Sequence, residues 1–80
     1  MTKYIATFHT HLAALMTSRA LTSSGVRAQM APGPRVLSSS CGTCVRYEAD
    51  APQLASMDED VERVYRIGVD ERYELLFENE

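Results

Sequence analysis

A strand–helix–strand unit fills the first thirty residues and constrains the fold more than any other feature of the chain. Residues 4–8 (YIATF) are β-branched and aromatic, which is typical of a short strand. A helix capped by Thr10 is predicted to follow and to run to about Ser24, where Gly25 can end it in the left-handed conformation. Residues 26–30 then alternate apolar and polar side chains, which predicts a second strand.

The remainder of the chain predicts three more strands and a second helix. These are a strand at 44–48, a helix opened by Asp50 and Pro52 that ends near Asp60, a strand at 61–69 and a last strand at 73–77. The order is βαββαβ plus a C-terminal strand, a ferredoxin-like α+β arrangement with an antiparallel sheet and two helices on one face. A right-handed crossover makes the first two strands parallel and places the third strand between them.

The length of 80 residues predicts a single domain, residues 1–80, with a thin margin of stability. A chain of this size buries little more than ~60% of its unfolded surface. Self-association would increase this stability, so both a monomer and a homodimer are compatible with the sequence. The apolar patch at residues 12–16 is too short to span a bilayer, and we expect no membrane partner.

The charges are divided along the chain. The net charge is −3, yet no Asp or Glu precedes Glu48, so five cations make the first part about +5. The rest has 11 acidic residues against three arginines, hence about −8. This asymmetry fits either a face that attracts an anionic partner or two halves that attract each other in the fold. No basic run is interleaved with aromatic residues, which disfavours nucleic acid.

The two cysteines, Cys41 and Cys44, cannot form a framework of disulfides, and we expect a reducing cytoplasm. They end a long loop that starts at the Pro32-Gly33-Pro34 segment, and long ordered loops in small domains are often functional. The predicted topology places the end of the first strand and the start of the first helix at the same sheet edge as this loop. His9 and His11 should therefore lie near the cysteines.

Nucleophilic sulfur chemistry is the first hypothesis for this loop. A thiol reacts as the thiolate, which nearby cations and helix N-termini stabilise. Arg35 and Arg46 flank the loop in sequence, and Gly42 allows a tight turn beside Cys41.

Two other hypotheses stay open. A CxxC beside a βαβ pattern resembles thioredoxin-like redox proteins, although there the motif opens a helix, whereas here Cys44 leads into a strand. A zinc site is the other hypothesis. Cys41 and Cys44 would supply two thiolates where zinc takes four ligands, so His9 and His11, or a second chain, would have to complete the set.

Two stretches, YIATFHTHLAALMTSRALTSSGV and PGPRVLSSSCG, resemble a small bacterial family described as putative selenium/sulfur carrier protein-like. The likeness covers roughly residues 4–67. The matching positions are Phe8, Gly25-Val26, Pro32, Pro34-Arg35, Ser38 and Cys41-Gly42.

The resemblance implies that Cys41 is a carrier thiol that holds sulfur or selenium as a persulfide or selenopersulfide. The chain would then be a carrier rather than an enzyme, with donor and acceptor proteins as its partners and no cofactor. In this interpretation Arg35 stabilises the anion and Gly42 offers a backbone donor. Cys44 is outside the signature and is a candidate resolving thiol. The alternative is an interaction domain whose CxxC binds metal or undergoes thiol redox chemistry without carrying sulfur.

Overall fold

The computed structural model describes residues 1–37 and 40–79, and within them the chain forms one α-helix and five strands. The elements are β1 (Thr2–Phe8), α1 (His11–Ser23), β2 (Arg27–Pro32), β3 (Thr43–Ala49), β4 (Val61–Ile67) and β5 (Tyr73–Glu78). Single turns of 3₁₀ helix occur at Arg35–Leu37, Leu54–Ser56 and Val69–Glu71.

The predicted strand–helix–strand unit is confirmed, together with the residues that end the helix. The Thr10 side chain accepts a hydrogen bond from the Ala13 N–H at 3.1 Å, which caps the N-terminus of α1. Gly25 has a φ of 83°, and the next amide, that of Val26, donates to the Leu21 carbonyl at 2.9 Å. This is the hydrogen-bond pattern of a glycine-terminated helix, and it turns the chain directly into β2.

The strands form one antiparallel sheet in the order β2-β3-β1-β4-β5. The third strand therefore lies between the first two, as predicted, and β5 extends the sheet beyond β4. In the register of β1 with β3, Thr7 is opposite Cys44 and Lys3 is opposite Glu48. The ends of β1 and β2 and the start of β3 meet at one edge of the sheet.

The two faces of the sheet are covered unequally. Side chains alternate between the faces along each strand. On the face that packs against α1, called the helix face, the buried cluster comprises Tyr4, Ala6, Phe8, Ala13, Ala14, Leu21, Val45, Tyr47, Ala49, Val61 and Val64. On the other face, called the open face, a smaller buried cluster comprises Ile5, Leu37 and Cys44. The open face therefore leaves much of the sheet uncovered.

The predicted second helix at residues 50–60 is wrong. Its middle is a single 3₁₀ turn at Leu54–Ser56, and Gln53, just before it, has a φ of 57°, which a right-handed helix does not accommodate. Tertiary hydrogen bonds take the place of helical ones: the Tyr47 hydroxyl donates to the Pro52 carbonyl, and the Asp58 amide donates to Thr17 Oγ1 at 2.9 Å. The fold is α+β, with one helix on the helix face rather than two.

The strand predicted at 61–69 is two residues shorter, because β4 ends at Ile67. Asp70 and Glu71, both at positive φ, turn the chain into β5. Within the described residues, no helix is long and apolar enough to cross a membrane.

Candidate functional site

The connection between β2 and β3, residues 33–42, is the loop that carries Cys41, and we call it the cysteine loop. Its base is closed by the Gly33 amide, which donates to the Gly42 carbonyl at 2.9 Å. Leu37 anchors it to the open face, where the side chain is buried beside Ile5. Gly42 has a φ of +73°, so the chain turns beside Cys41 in a conformation that disfavours other residues. Ser38, part of the family signature, lies outside the described residues.

Cys41 is half-buried at the end of the cysteine loop, just before β3 begins. Its side chain packs against the helix-face cluster, and its S–H donates to the Thr43 carbonyl with an Sγ–O distance of 3.4 Å. Part of the Cys41 surface therefore remains open to solvent, and access from solvent is the first requirement for attack on an external sulfur atom.

Cys44 has the opposite environment. It is 0% exposed and belongs to the open-face cluster, where its S–H donates to the Ala31 carbonyl at 3.5 Å. Burial raises the pKa of the Cys44 thiol, a rise that the positive charge of Arg46 reduces and the nearby Cys41 increases. Cys44 is thus a closed, protonated thiol, and the two free cysteines of the CxxC pack against opposite faces of the sheet.

A carboxylate holds the residue just before Cys41. Glu62, the second residue of β4, is 8% exposed. Its Oε1 accepts a hydrogen bond from the Ser40 amide at 2.9 Å, and its Oε2 accepts one from the Ser40 hydroxyl at 2.5 Å. His9 Nδ1 lies 3.5 Å from Glu62 Oε2, and the His9 amide donates to the Asp60 carbonyl. The end of β1, the cysteine loop and the start of β4 are therefore joined at one carboxylate.

The charge of Glu62 is maintained by these contacts. Burial raises the pKa of the Glu62 carboxyl group, but the hydrogen bonds from the Ser40 hydroxyl and amide lower it, as do the electrostatic interactions with His9 and Arg63. The net effect is a pKa below the ordinary value for Glu. Glu62 is therefore ionised near neutral pH, and it binds Ser40 through charge-assisted hydrogen bonds.

The second histidine reaches the other end of the loop. His11, the first residue of α1, places Nδ1 3.4 Å from Thr43 Oγ1, between the two cysteines in sequence. The expectation that the topology brings both histidines toward the cysteines is confirmed to this extent: His11 contacts Thr43, and His9 reaches the loop through Glu62 and Ser40.

For two predictions about this site, the described residues show no supporting contact. Arg35 is exposed at the start of the 3₁₀ turn, and within the described residues no hydrogen bond or ion pair joins it to Cys41. For the zinc alternative, His9, His11, Cys41 and Cys44 all lie in the described part of the chain. There, no three His, Cys, Asp or Glu side chains group closely enough to hold a metal ion.

Sequence reasoning missed Glu62 and interpreted Ser40 as ordinary loop composition. Glu62 lies 22 positions after Ser40 in the sequence. Its neighbours alternate as in any strand, so no local pattern distinguishes it from other strand glutamates. The adjacency of β1 and β4 predicts that residues after Phe8 meet the start of β4, but the approach of the cysteine loop to that point is a tertiary feature.

A family model described as "Putative Se/S carrier protein-like" matches residues 3–67, which is most of the chain. The protein belongs to this family, and the resemblance noted from the Pro-Gly-Pro-Arg and Cys-Gly segments is confirmed. The matched segment contains β1 to β4, both cysteines and Glu62, whereas β5 lies beyond it. Comparisons with curated proteins and with solved structures give no significant match.

Proposed function

We propose that this protein carries reactive sulfur or selenium on Cys41. The Cys41 thiolate attacks the outer sulfur of a donor persulfide, the Cys41 Sγ–S bond forms, and the S–S bond of the donor breaks. The donor leaves as a thiolate, so the exchange involves no external oxidant or reductant. Selenium follows the same path from a donor selenopersulfide. An acceptor thiolate then attacks the outer atom and regenerates the Cys41 thiolate.

The difference between the two thiols carries this proposal. Cys41 is partly open at a loop end, whereas Cys44 is closed and its thiol pKa is raised by burial. Because the thiolate is the nucleophile, this difference favours Cys41 as the single attachment site. Membership in the selenium/sulfur carrier family supports the same cysteine, since Cys41-Gly42 is the part of the signature that contains a thiol.

The neighbours of Cys41 suit a carried anion. Gly42, at positive φ, directly follows Cys41, and its amide is the backbone donor that we assign to the terminal sulfur or selenium. Glu62 fixes Ser40, and hence the backbone that enters Cys41. Arg35 would act through its charge at longer range.

Release through Cys44 is a second route for the cargo. Attack of Cys44 on the loaded Cys41 Sγ would form the Cys41–Cys44 disulfide and expel hydrosulfide or hydroselenide, and a separate reductant would then be needed to reset the pair. The burial of Cys44 opposes this step, because the thiol must first be exposed and deprotonated. We therefore propose transfer to an acceptor thiol as the main route.

Intact-mass spectrometry after incubation with a small-molecule persulfide donor, such as glutathione persulfide, tests the proposal. Wild type should gain the mass of one sulfur atom, and excess dithiothreitol should remove it. Cys41→Ser should abolish the gain. Cys44→Ala, which keeps a small apolar side chain in the open-face cluster, should retain it.

Comparison of the Cys41→Ser and Cys44→Ala variants decides which cysteine carries the sulfur. A gain that survives Cys41→Ser and disappears in Cys44→Ala would overturn the assignment of the carrier thiol. A protein that gains no sulfur from persulfide or selenopersulfide donors, while circular dichroism shows it folded, would overturn the carrier function. Loading of wild type followed by rapid appearance of the intramolecular disulfide would instead establish the Cys44 route.

A further inference from the structure

Three cations meet on the open face, away from the cysteine loop. Lys3 of β1, Arg27 of β2 and Arg46 of β3 line one shallow groove with a volume of about 190 Å³. Gln29 and Glu48 also line it, and Ile67 contributes an apolar wall. Lys3 and Arg27 are exposed, and Arg46 is half-buried. The groove lies across the three strands of the sheet that α1 covers on the other face.

Among the residues that the structure describes, none of these three cations forms an ion pair. Within the described residues, the arginine–carboxylate pairs are Arg63–Glu78 and Arg66–Glu74, both between β4 and β5. Two carboxylates of the acidic second half, Glu74 and Glu78, thus pair with arginines of the same half. Of the two interpretations of the charge asymmetry, the structure favours an anion-attracting face over attraction between the halves. Lys3, Arg27 and Arg46 keep their charge available to an external group.

We propose that this groove docks an acidic segment of a partner protein. Carboxylates spaced along a peptide can each meet one guanidinium, and the arginine fork binds carboxylates in a bidentate manner. The single acidic group, Glu48, lies opposite Lys3 and Arg27 in the sheet register, so the groove has a net charge of +2 from three cations and one anion. Ile67 offers a contact for one apolar side chain of the segment.

A peptide suits the groove better than a nucleic acid. A continuous phosphate backbone would have to pass the Glu48 carboxylate. Single-stranded nucleic acids also require aromatic side chains on which bases stack. The open-face tyrosines, Tyr65 and Tyr73, pack edge to face against each other on β4 and β5, at 6.2 Å between ring centroids. Tyr4 and Tyr47 also line the groove, but both rings are buried in the helix-face cluster, so neither offers an exposed face on which a base could stack.

The proposed docking groove goes beyond the carrier function and does not depend on Cys41, because none of the residues that line it belongs to the cysteine loop. An NMR titration of ¹⁵N-labelled protein with octaglutamate as the probe tests it. The amide shifts should concentrate on the groove residues, and binding should weaken strongly as ionic strength rises. Arg27→Ala and Arg46→Ala should each weaken binding about two- to fivefold, the range expected for exposed ion pairs.

Arg19→Ala is the matched control, because Arg19 lies on α1, outside the groove, and has no ion pair within the described residues. It should leave the affinity unchanged. Equal losses in Arg19→Ala and Arg27→Ala, or shifts spread over the whole surface, would overturn the proposal, as would the absence of binding at low salt. Tighter binding of an oligothymidylate of equal charge would also overturn it, in favour of a nucleic-acid site.

Discussion

Glu62 accepts two hydrogen bonds from Ser40, one from its amide at 2.9 Å and one from its hydroxyl at 2.5 Å. The two residues lie on different elements and are joined where the cysteine loop approaches β4. Ser40 precedes Cys41 directly, so this one carboxylate determines where the backbone of the proposed carrier thiol lies.

Cys41 should alkylate much faster than Cys44 at neutral pH. Cys41 is half-buried, whereas Cys44 is fully buried and its thiol pKa is raised by that burial. Iodoacetamide labelling followed by peptide mass spectrometry measures the two rates. In urea the rates should become similar, and Arg35→Ala should slow Cys41 modestly in the folded protein. Equal rates in the folded protein would contradict the assignment of Cys41 as the reactive thiol.

Glu62→Gln should lower the free energy of unfolding by about 1.5–3 kcal/mol, the range for hydrogen bonds to a charged group. It should also speed hydrogen exchange at the Ser40 amide, which loses its ionised acceptor. Urea unfolding and NMR exchange measure the two effects. Glu78→Gln is the control, because Glu78 pairs with Arg63 at the surface and little change is expected. Ser40 exchange that is the same in both variants would show that the carboxylate does not hold the loop.

The contribution of Glu62 to the free energy of unfolding should also depend on pH. Its pKa in the folded protein is below the ordinary value, so its stabilisation is fully present above the unfolded pKa of about 4.3. It is lost as the pH falls through the lower folded pKa. Wild type and Glu62→Gln should therefore differ in stability at pH 7 and converge in strong acid. Urea midpoints measured across this range give the comparison, and a difference that persists unchanged in acid would contradict the ionised state of Glu62.

Two buried threonines should respond in opposite directions to valine. Thr7 is fully buried, and its hydroxyl has no hydrogen-bond partner among the described residues. Thr7→Val should raise the free energy of unfolding by up to about 1 kcal/mol. Thr17 accepts a hydrogen bond from the Asp58 amide, and Thr17→Val should cost about 1–3 kcal/mol. Urea unfolding of both variants tests the pair, and destabilisation by Thr7→Val would show that its hydroxyl has an essential partner.

Gly42→Ala should destabilise the protein by about 1–2 kcal/mol through the backbone alone. Its φ is +73°, but a Cβ built at this position meets no atom within 4 Å. Gly68→Ala is the control, since its φ is not positive and its Cβ would make an ordinary contact with the Arg72 carbonyl oxygen at 3.6 Å. It should be neutral or slightly stabilising. Differential scanning calorimetry compares the two, and equal stability would remove the conformational role of Gly42.

The sequence predicted the sheet and the first helix because their signals are local or follow from chain chirality. Alternation identified the strands, Thr10 and Gly25 identified the ends of α1, and the crossover rule placed β3 between β1 and β2. The prediction of a second helix was wrong because Asp50 and Pro52 are helix start signals, but no long apolar stripe follows them. A short helix without such a stripe is not stable alone, and here tertiary hydrogen bonds to Tyr47 and Thr17 determine the backbone.

The candidate site was predicted in part for the same reason. Loop position and topology were sufficient to bring His9 and His11 toward the segment that carries the two cysteines. Glu62 could not be found in this way. Its partnership with Ser40 depends on how the loop folds over the sheet edge, and neither residue has a local pattern that signals it.

Asn79 gives the site a connection beyond the segment that the family model matches. Its amide donates to the Glu62 carbonyl at 2.9 Å, and its side chain donates to the carbonyls of Glu59 and Val61. The matched segment ends at residue 67, yet a residue after β5 supports the backbone of the carboxylate that holds Ser40. The segment that the family model matches is therefore smaller than the set of residues whose hydrogen bonds support the site. In this protein Asn79 is connected to Cys41 through two residues, Glu62 and Ser40.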